Sequence, residues 1–247
     1  MAPWKITLAG AVAGAMLAVA LVFAAAAGGF LPVNGPQIHA WLVAHPQLVA
    51  EMTDRLQKQQ DEAQQKAQGS AMKTLGLAAF FDPKIAFVTG PADAKKTVVE
   101  FYDYDCPYCR ASIPAVMKYY QAHKNDTRFA FIELPIPSLH GPSALVAARV
   151  SLAARHQPDK YLALHFALMS QQNAVDEQAV YDVAAKVGLD MNKLKADMQK
   201  PEIDAAIKAS HALAQRASID GTPTFVINGV IHPGMVDDAD LAELTKS

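Results

Sequence analysis

The chain has 247 residues, of which 51% are hydrophobic, and 22 basic against 24 acidic side chains give a net charge of −2. This length and apolar content exclude a disordered chain and allow one or two domains with a sizeable core, and the near-neutral balance argues against nucleic acid as the main partner, because phosphate binding needs a concentrated positive field. With two cysteines, a disulfide-rich scaffold and a four-cysteine zinc site are excluded as well.

From Ile6 to Ile38 the sequence carries no Asp, Glu, Lys, Arg or His. Its strongest part, Ile6–Ala27, rises about 1.5 Å per residue as a helix and can cross a hydrocarbon layer of ~30 Å. Lys5 and the amino terminus form the positive flank, which is expected to stay in the cytoplasm while the rest is exported. The run is longer than the apolar region of a usual secretory signal, so a single-span inner-membrane anchor with a periplasm-facing domain is the first reading. Cleavage near Ala24–Ala27, which would leave a soluble periplasmic protein, is the alternative; a buried helix of a soluble domain is the third. The first two place the cysteines in an oxidising compartment.

Phe30–Pro36 breaks the chain, and a helical stretch follows with Trp41, Leu42, Leu48, Val49, Met52 and Leu56 as its apolar positions. Pro46 opens its second part. Arg55–Gln68 (RLQKQQDEAQQKAQ) offers almost nothing large to bury and reads as a solvated helix or linker, or else as an oligomerising stalk whose apolar seam fades after Leu56. Gly69 marks an expected break.

Thr97–Tyr102 (TVVEFY), rich in β-branched and aromatic residues, reads as a buried strand. It leads through Asp103–Asp105 to Cys106-Pro107-Tyr108-Cys109. Ile113, Val116, Met117 and Tyr120 then fall at helical spacing, with Pro114 expected to kink the helix. Arg128–Leu134 is the next strand, which completes a βαβ unit. From Ser143 to Ser218 the pattern is that of four or five helices, with breaks near Pro158, Asn173 and Gly188. Thr224–Asn228 returns as a strand, Asn228-Gly229 is a two-residue hairpin signal, Val230–His232 pairs back, and Asp237–Lys246 closes as a helix.

Residues three apart share a helix face, so the two sulfurs can meet within one turn. At a helix start, Cys106 faces unsatisfied N–H groups and the positive end of the dipole, which favours thiolate, the nucleophilic form. Cys106 is then expected to form a mixed disulfide that Cys109 resolves, with Tyr108 placed to modulate the reaction. A zinc site would need two further ligands and the histidines are scattered, so no metal or other cofactor is implied. Cu(I) binding by the same thiolate pair is an open alternative, since thiolates suit that ion. Pro223, in Gly221-Thr222-Pro223-Thr224, reads with the cysteine motif as a cis proline that would bring the Thr222 backbone beside Cys106 and pair with an extended substrate segment; an ordinary trans proline opening a strand is the other reading. Glu100 is either a buried acid that relays a proton for Cys109 or an edge carboxylate in water.

The segments TVVEFYDYDCPYCR and GTPTFVINGVIHPG, separated by a long helical stretch, resemble the DsbA-like thioredoxin family from about Phe80 to the C-terminus. The resemblance implies an α/β thioredoxin fold with an inserted all-helical subdomain, preceded by the membrane segment and helical extension. The expected divisions are 1–30, 31–78 and 79–247, with the insertion at about 138–218. It implies Cys106 as nucleophile, Cys109 as resolving cysteine, Pro223 beside the substrate groove and Glu100 as the buried acid, with Pro107, Tyr108 and Thr222 modulating the site. Pro114 matches the kinking proline of the thioredoxin active-site helix, and LPIPSLHGPSALVAARVSLAA resembles the start of the insertion in membrane-linked and periplasmic members. The stretch His45–Leu56 is similar to the extension of the ScsC-like branch, where such a segment can drive oligomerisation; here self-association would run through residues 37–68. Tyr108 and Thr222 stand where the best-known DsbA has histidine and valine, which leaves oxidase, isomerase and reductase directions open. The expected partners are cysteine-containing exported proteins and a membrane redox protein.

Overall fold

The structure, a computed structural model, describes residues 35–172 and 176–246. The apolar run read as an anchor or signal, and the helix break expected near Asn173, lie outside the described residues. Among the described residues no helix is long and apolar enough to cross a membrane. The chain divides into two units, Met1–Glu62 and Ala63–Ser247.

In the first unit, α1 (Gly35–Ala44) and the opening part of α2 (Gln47–Leu75) flank Pro46. Trp41, Val43, Val49, Met52 and Leu56 are each more than half exposed. The break expected at Gly69 is absent: α2 continues to Leu75. One glycine costs a helix only about 1 kcal/mol relative to alanine. The neighbouring turn is also pinned, because Gln64 and Gln68 both donate their side-chain amides to the Ser218 carbonyl, at 2.6 and 3.1 Å.

The second unit is built on a five-stranded mixed sheet in the order β1-β3-β2-β4-β5. Its strands are β1 (Phe87–Thr89), β2 (Lys96–Tyr102), β3 (Thr127–Glu133), β4 (Thr224–Ile227) and β5 (Val230–Pro233). β2 runs parallel to β3 and antiparallel to β4, so it is the central strand. The sequence pattern did not show β1. Three residues are too few for a period, and the strand exists through its antiparallel pairing with β3. It ends at Gly90, whose φ is +85° and where a Cβ would sit 2.1 Å from the Thr127 carbonyl oxygen, so glycine is required there. Asn228 and Gly229 take φ of 49° and 82°, the left-handed pair that a two-residue hairpin needs.

Side chains alternate along β2 and divide the core into two layers. Val99 and Phe101 pack with Phe80, Phe81, Ile132 and Val226 on one face. Val98 and Tyr102 pack on the other, with Phe129, Phe131 and Phe225. Glu100 shares that second face by period. It is covered by α3 (Pro107–His123) and by the helices between β3 and β4. These are α4 (Pro137–His140), α5 (Ser143–Ala154), α6 (Pro158–Met169), α7 (Glu177–Lys186), α8 (Met191–Asp197) and α9 (Pro201–Arg216). The short α4 and the break before Pro201 add to the expected helix pattern. Gly188 takes φ +81° between α7 and α8. The closing helix, α10 (Asp238–Leu244), is capped by Asp237, which accepts from Ala239 and Asp240 N–H.

Candidate functional site

The loop from β2 to α3 is fixed by one buried carboxylate. Asp103 accepts from Asp105 N–H at 3.0 Å with one oxygen. With the other it accepts from Ile136 N–H at 2.8 Å and His140 Nδ1 at 2.7 Å. Asp105 in turn accepts from Ser143 Oγ at 2.5 Å. The loop therefore joins the start of the helical insertion to the start of α3. Cys106 is the N-cap of α3, with extended backbone (φ −72°, ψ 119°), and Pro107 occupies the first turn, where its missing N–H costs nothing.

Cys106 and Cys109 are both free thiols and both buried. The Cys106 sulfur is pulled down from 9.0 to about 5. The largest cause is the hydrogen bond from Cys109; burial opposes it, and the backbone N–H groups of Cys109 and Tyr108 add to it, as does the Thr222 side chain. The helix start thus acts mainly through the second cysteine it presents and only then through its amides. Cys109 moves the other way: burial pushes its thiol far up, and the hydrogen bond and charge of Cys106 and the charge of Glu100 push it further. The pair has one good nucleophile and leaving group and one sulfur that holds its proton.

The Thr222–Pro223 bond is cis. The Thr222 carbonyl oxygen lies 3.2 Å from the Cys106 sulfur and accepts from it when that sulfur is protonated. Pro223 is buried, and its carbonyl accepts from Gly234 N–H at 2.9 Å. Val236 N–H donates to Ser112 Oγ of α3 at 3.0 Å, so the C-terminal segment ties the Pro223 loop to the cysteine helix. Pro107 and Tyr108 stand exposed beside the sulfurs.

Glu100 is 1% exposed on the central strand, which rules out an edge carboxylate in water. Burial raises its carboxyl from 4.5 to about 8, so it holds a proton at neutral pH. Of the site residues expected from sequence, Cys106, Cys109 and Thr222 meet directly, and Glu100 lies near enough for its charge to act on Cys109. Sequence reasoning missed Asp103, Tyr104, His140 and His165. The DYDC segment showed the first two, but nothing nearby announced either histidine. Among the described residues no group of three or more His, Cys, Asp or Glu could hold a metal ion.

A Cys-x-x-Cys pair heading a helix that follows the central strand, with a cis proline opposite, is the site arrangement of a thioredoxin-like fold. The model of the DSBA-like thioredoxin domain matches residues 97–246, and the chain belongs to that family. It is similar to a thioredoxin-like oxidoreductase from Silicibacter pomeroyi, with 41% identity, a TM-score of 0.61, and coverage of 68% of this chain and 93% of that one. It is also similar to the catalytic domain of Proteus mirabilis ScsC, with 28% identity, a TM-score of 0.61, and coverage of 72% and 96%. A Na(+)/H(+) antiporter NhaA of Herminiimonas arsenicoxydans is 33% identical over 149 residues, 60% of this chain and 23% of that protein. The chain spans about a quarter of the length of the curated relatives it matches.

Proposed function

We propose that this chain is a thiol:disulfide oxidoreductase that forms or reshuffles disulfides in exported, cysteine-containing proteins. One observation carries the reading: Cys106 caps the start of α3 beside the Thr222 carbonyl, with buried Cys109 one turn on, an arrangement that lowers the Cys106 sulfur and raises the Cys109 thiol. In the oxidising direction a substrate thiolate attacks Cys106 of the Cys106–Cys109 disulfide. The internal S–S bond breaks, a mixed disulfide forms, and Cys109 leaves with the proton it takes from Glu100. A second substrate thiolate then attacks the substrate sulfur of the mixed disulfide, and Cys106 leaves as a stable thiolate. In the reducing direction the Cys106 thiolate opens a substrate disulfide, and Cys109 closes onto Cys106 while its proton passes to Glu100 in its ionised form.

Thr222 and Pro223 line the face where an extended substrate would lie, and Pro107 and Tyr108 border it. The exposed rim is apolar. Tyr108, Leu139 and Met235 are each at least 60% exposed; Leu139 precedes the His140 that bonds Asp103, and Met235 sits between Gly234 and Val236, which bond Pro223 and Ser112. Such a rim suits unfolded polypeptide. The apolar run before Phe30, with Lys5 at its head, supports an inner-membrane anchor with this domain in the periplasm and a membrane redox protein as recycling partner. The exposed stripe Val49, Met52 and Leu56, at i, i+3 and i+7, supports self-association through residues 37–68.

The test is turnover of a disulfide-bonded peptide without added metal. The reading expects activity that Cys106→Ser abolishes, and mixed disulfides with exported proteins that accumulate in Cys109→Ala. No turnover together with tight Cu(I) binding would replace it with the copper-binding reading. A pair found mostly oxidised in cells marks an oxidase, and a mostly reduced pair an isomerase or reductase.

A further inference from the structure

We propose that His165, on α6 of the helical insertion, is the proton partner of Glu100, so that the insertion supplies a positioning residue for proton transfer at Cys109. This rests on the exchange reading above and extends it beyond the cysteine helix.

The directions of the buried hydrogen bonds carry the inference. The Glu133 carboxylate pairs with Arg155 and accepts from Ser151 Oγ at 2.8 Å and from Tyr161 at 3.1 Å. Ser151 has one proton, and it is committed to Glu133. Its oxygen therefore accepts from the Tyr104 hydroxyl at 2.8 Å. The Tyr104 proton is committed in turn, so Tyr104 can only accept from His165 Nδ1, 3.3 Å away. Neutral His165 thus carries its hydrogen on Nδ1 and presents a lone pair at Nε2.

That lone pair faces Glu100 Oε2 at 4.0 Å. Neither His165 Nε2 nor either Glu100 oxygen has another hydrogen-bond partner, and all three atoms are buried. A lone pair against a carboxylate would repel it, whereas a lone pair against a carboxylic acid is an acceptor in waiting. Burial holds both groups neutral, raising Glu100 to about 8 and lowering His165 to about 3. The 4.0 Å gap is outside hydrogen-bond range, so the transfer needs the carboxyl to turn towards Nε2. The titratable groups facing the imidazole are Glu100 and Tyr102 from β2, Tyr104 from the following loop and Tyr161 from α6 itself. Glu133 and Arg155 lie at the far end of the chain of hydrogen bonds, and the charge of Glu100 acts on Cys109 of α3.

The step balances. When Cys109 attacks the mixed disulfide, its sulfur forms the bond to Cys106, the substrate leaves as thiolate, and the Cys109 proton goes to Glu100. Glu100 can receive it only as a carboxylate, and it becomes one when its earlier proton sits on His165 Nε2, with the imidazolium and carboxylate charges cancelling. Once Glu100 is neutral again, the imidazolium gives up its Nδ1 proton along the Tyr104 and Ser151 hydrogen bonds to the Glu133 carboxylate, so no unpaired charge stays on the ring, and the reverse reaction returns the protons by the same path.

The experiment follows closure of the mixed disulfide with glutathione across pH in the unsubstituted protein, His165→Phe, Glu100→Gln and the double variant. The inference expects His165→Phe to raise the pH of the inflection by about one unit and slow closure about tenfold, leaving Cys106 alkylation unchanged. In the Glu100→Gln background the same substitution should have no effect. An unmoved inflection, or an equal slowing in both backgrounds, would overturn the inference. Should His165→Phe fail to fold, Tyr104→Phe decides: it keeps the ring and removes only the hydroxyl that fixes Nδ1–H, so a shifted inflection supports the role and an unshifted one rejects it. No exchange by the unsubstituted protein overturns the exchange reading and this inference with it; normal exchange with an unmoved inflection overturns this inference alone.

Discussion

Cys106 owes its acidity first to its neighbour one turn along, and that ranking has a consequence. If Cys109 is the largest cause of the low value, Cys109→Ala should return Cys106 a good part of the way towards 9.0. Alkylation rates measured against pH check this; an inflection that stays near pH 5 in the variant would assign the effect to the helix amides instead. Glu100 gives a second prediction. Its carboxyl is raised from 4.5 to about 8 by burial, so the unfolded chain ionises it first and the folded state loses stability as pH rises between those values. Glu100→Gln removes this loss: it should leave stability little changed below pH 4.5 and raise it by about 4 kcal/mol near pH 8. Urea unfolding at the two pH values measures it, and equal midpoint shifts at both would refute it. The two sulfurs, Thr222 and Pro223 were legible in the sequence because each lies in a short contiguous motif. His140 and His165 were not, because their contacts with Asp103 and Tyr104 span 37 and 61 residues and only the packed insertion brings them in.

At the scale of elements, Asp103 joins the start of the insertion to the head of α3. Its carboxylate accepts three hydrogen bonds while buried, and its loss leaves those donors unpaired. Asp103→Ala should cost roughly 2–4 kcal/mol in urea unfolding, and a loss below about 0.5 kcal/mol would show that the loop stands without it. Strands β2, β3 and β4 could be read from runs of β-branched and aromatic residues, and the hairpin from Asn228-Gly229. β1 could not, since it is made by its partner and by a glycine that alone fits against Thr127. The continuation of α2 through Gly69 was hidden for a similar reason: its anchor is a carbonyl at Ser218, about 150 residues on.

At the scale of the molecule, one face of the sheet carries the cysteine helix and the insertion, and the other is closed by Phe80, Phe81 and the C-terminal end of α9, through Leu213 and Ala214. The first unit offers an exposed apolar stripe and none of the candidate site residues. Replacing Val49, Met52 and Leu56 with serine should therefore reduce the mass seen by light scattering to that of one chain while leaving the exchange rate per site unchanged; an unaltered mass would reject self-association through that stripe. The most direct test of the whole account is a pH titration of thiolate absorbance in the reduced protein. The account predicts one sulfur titrating near pH 5, lost in Cys106→Ser, and a second that stays protonated throughout the neutral range. Two sulfurs titrating together near 9.0 would contradict it.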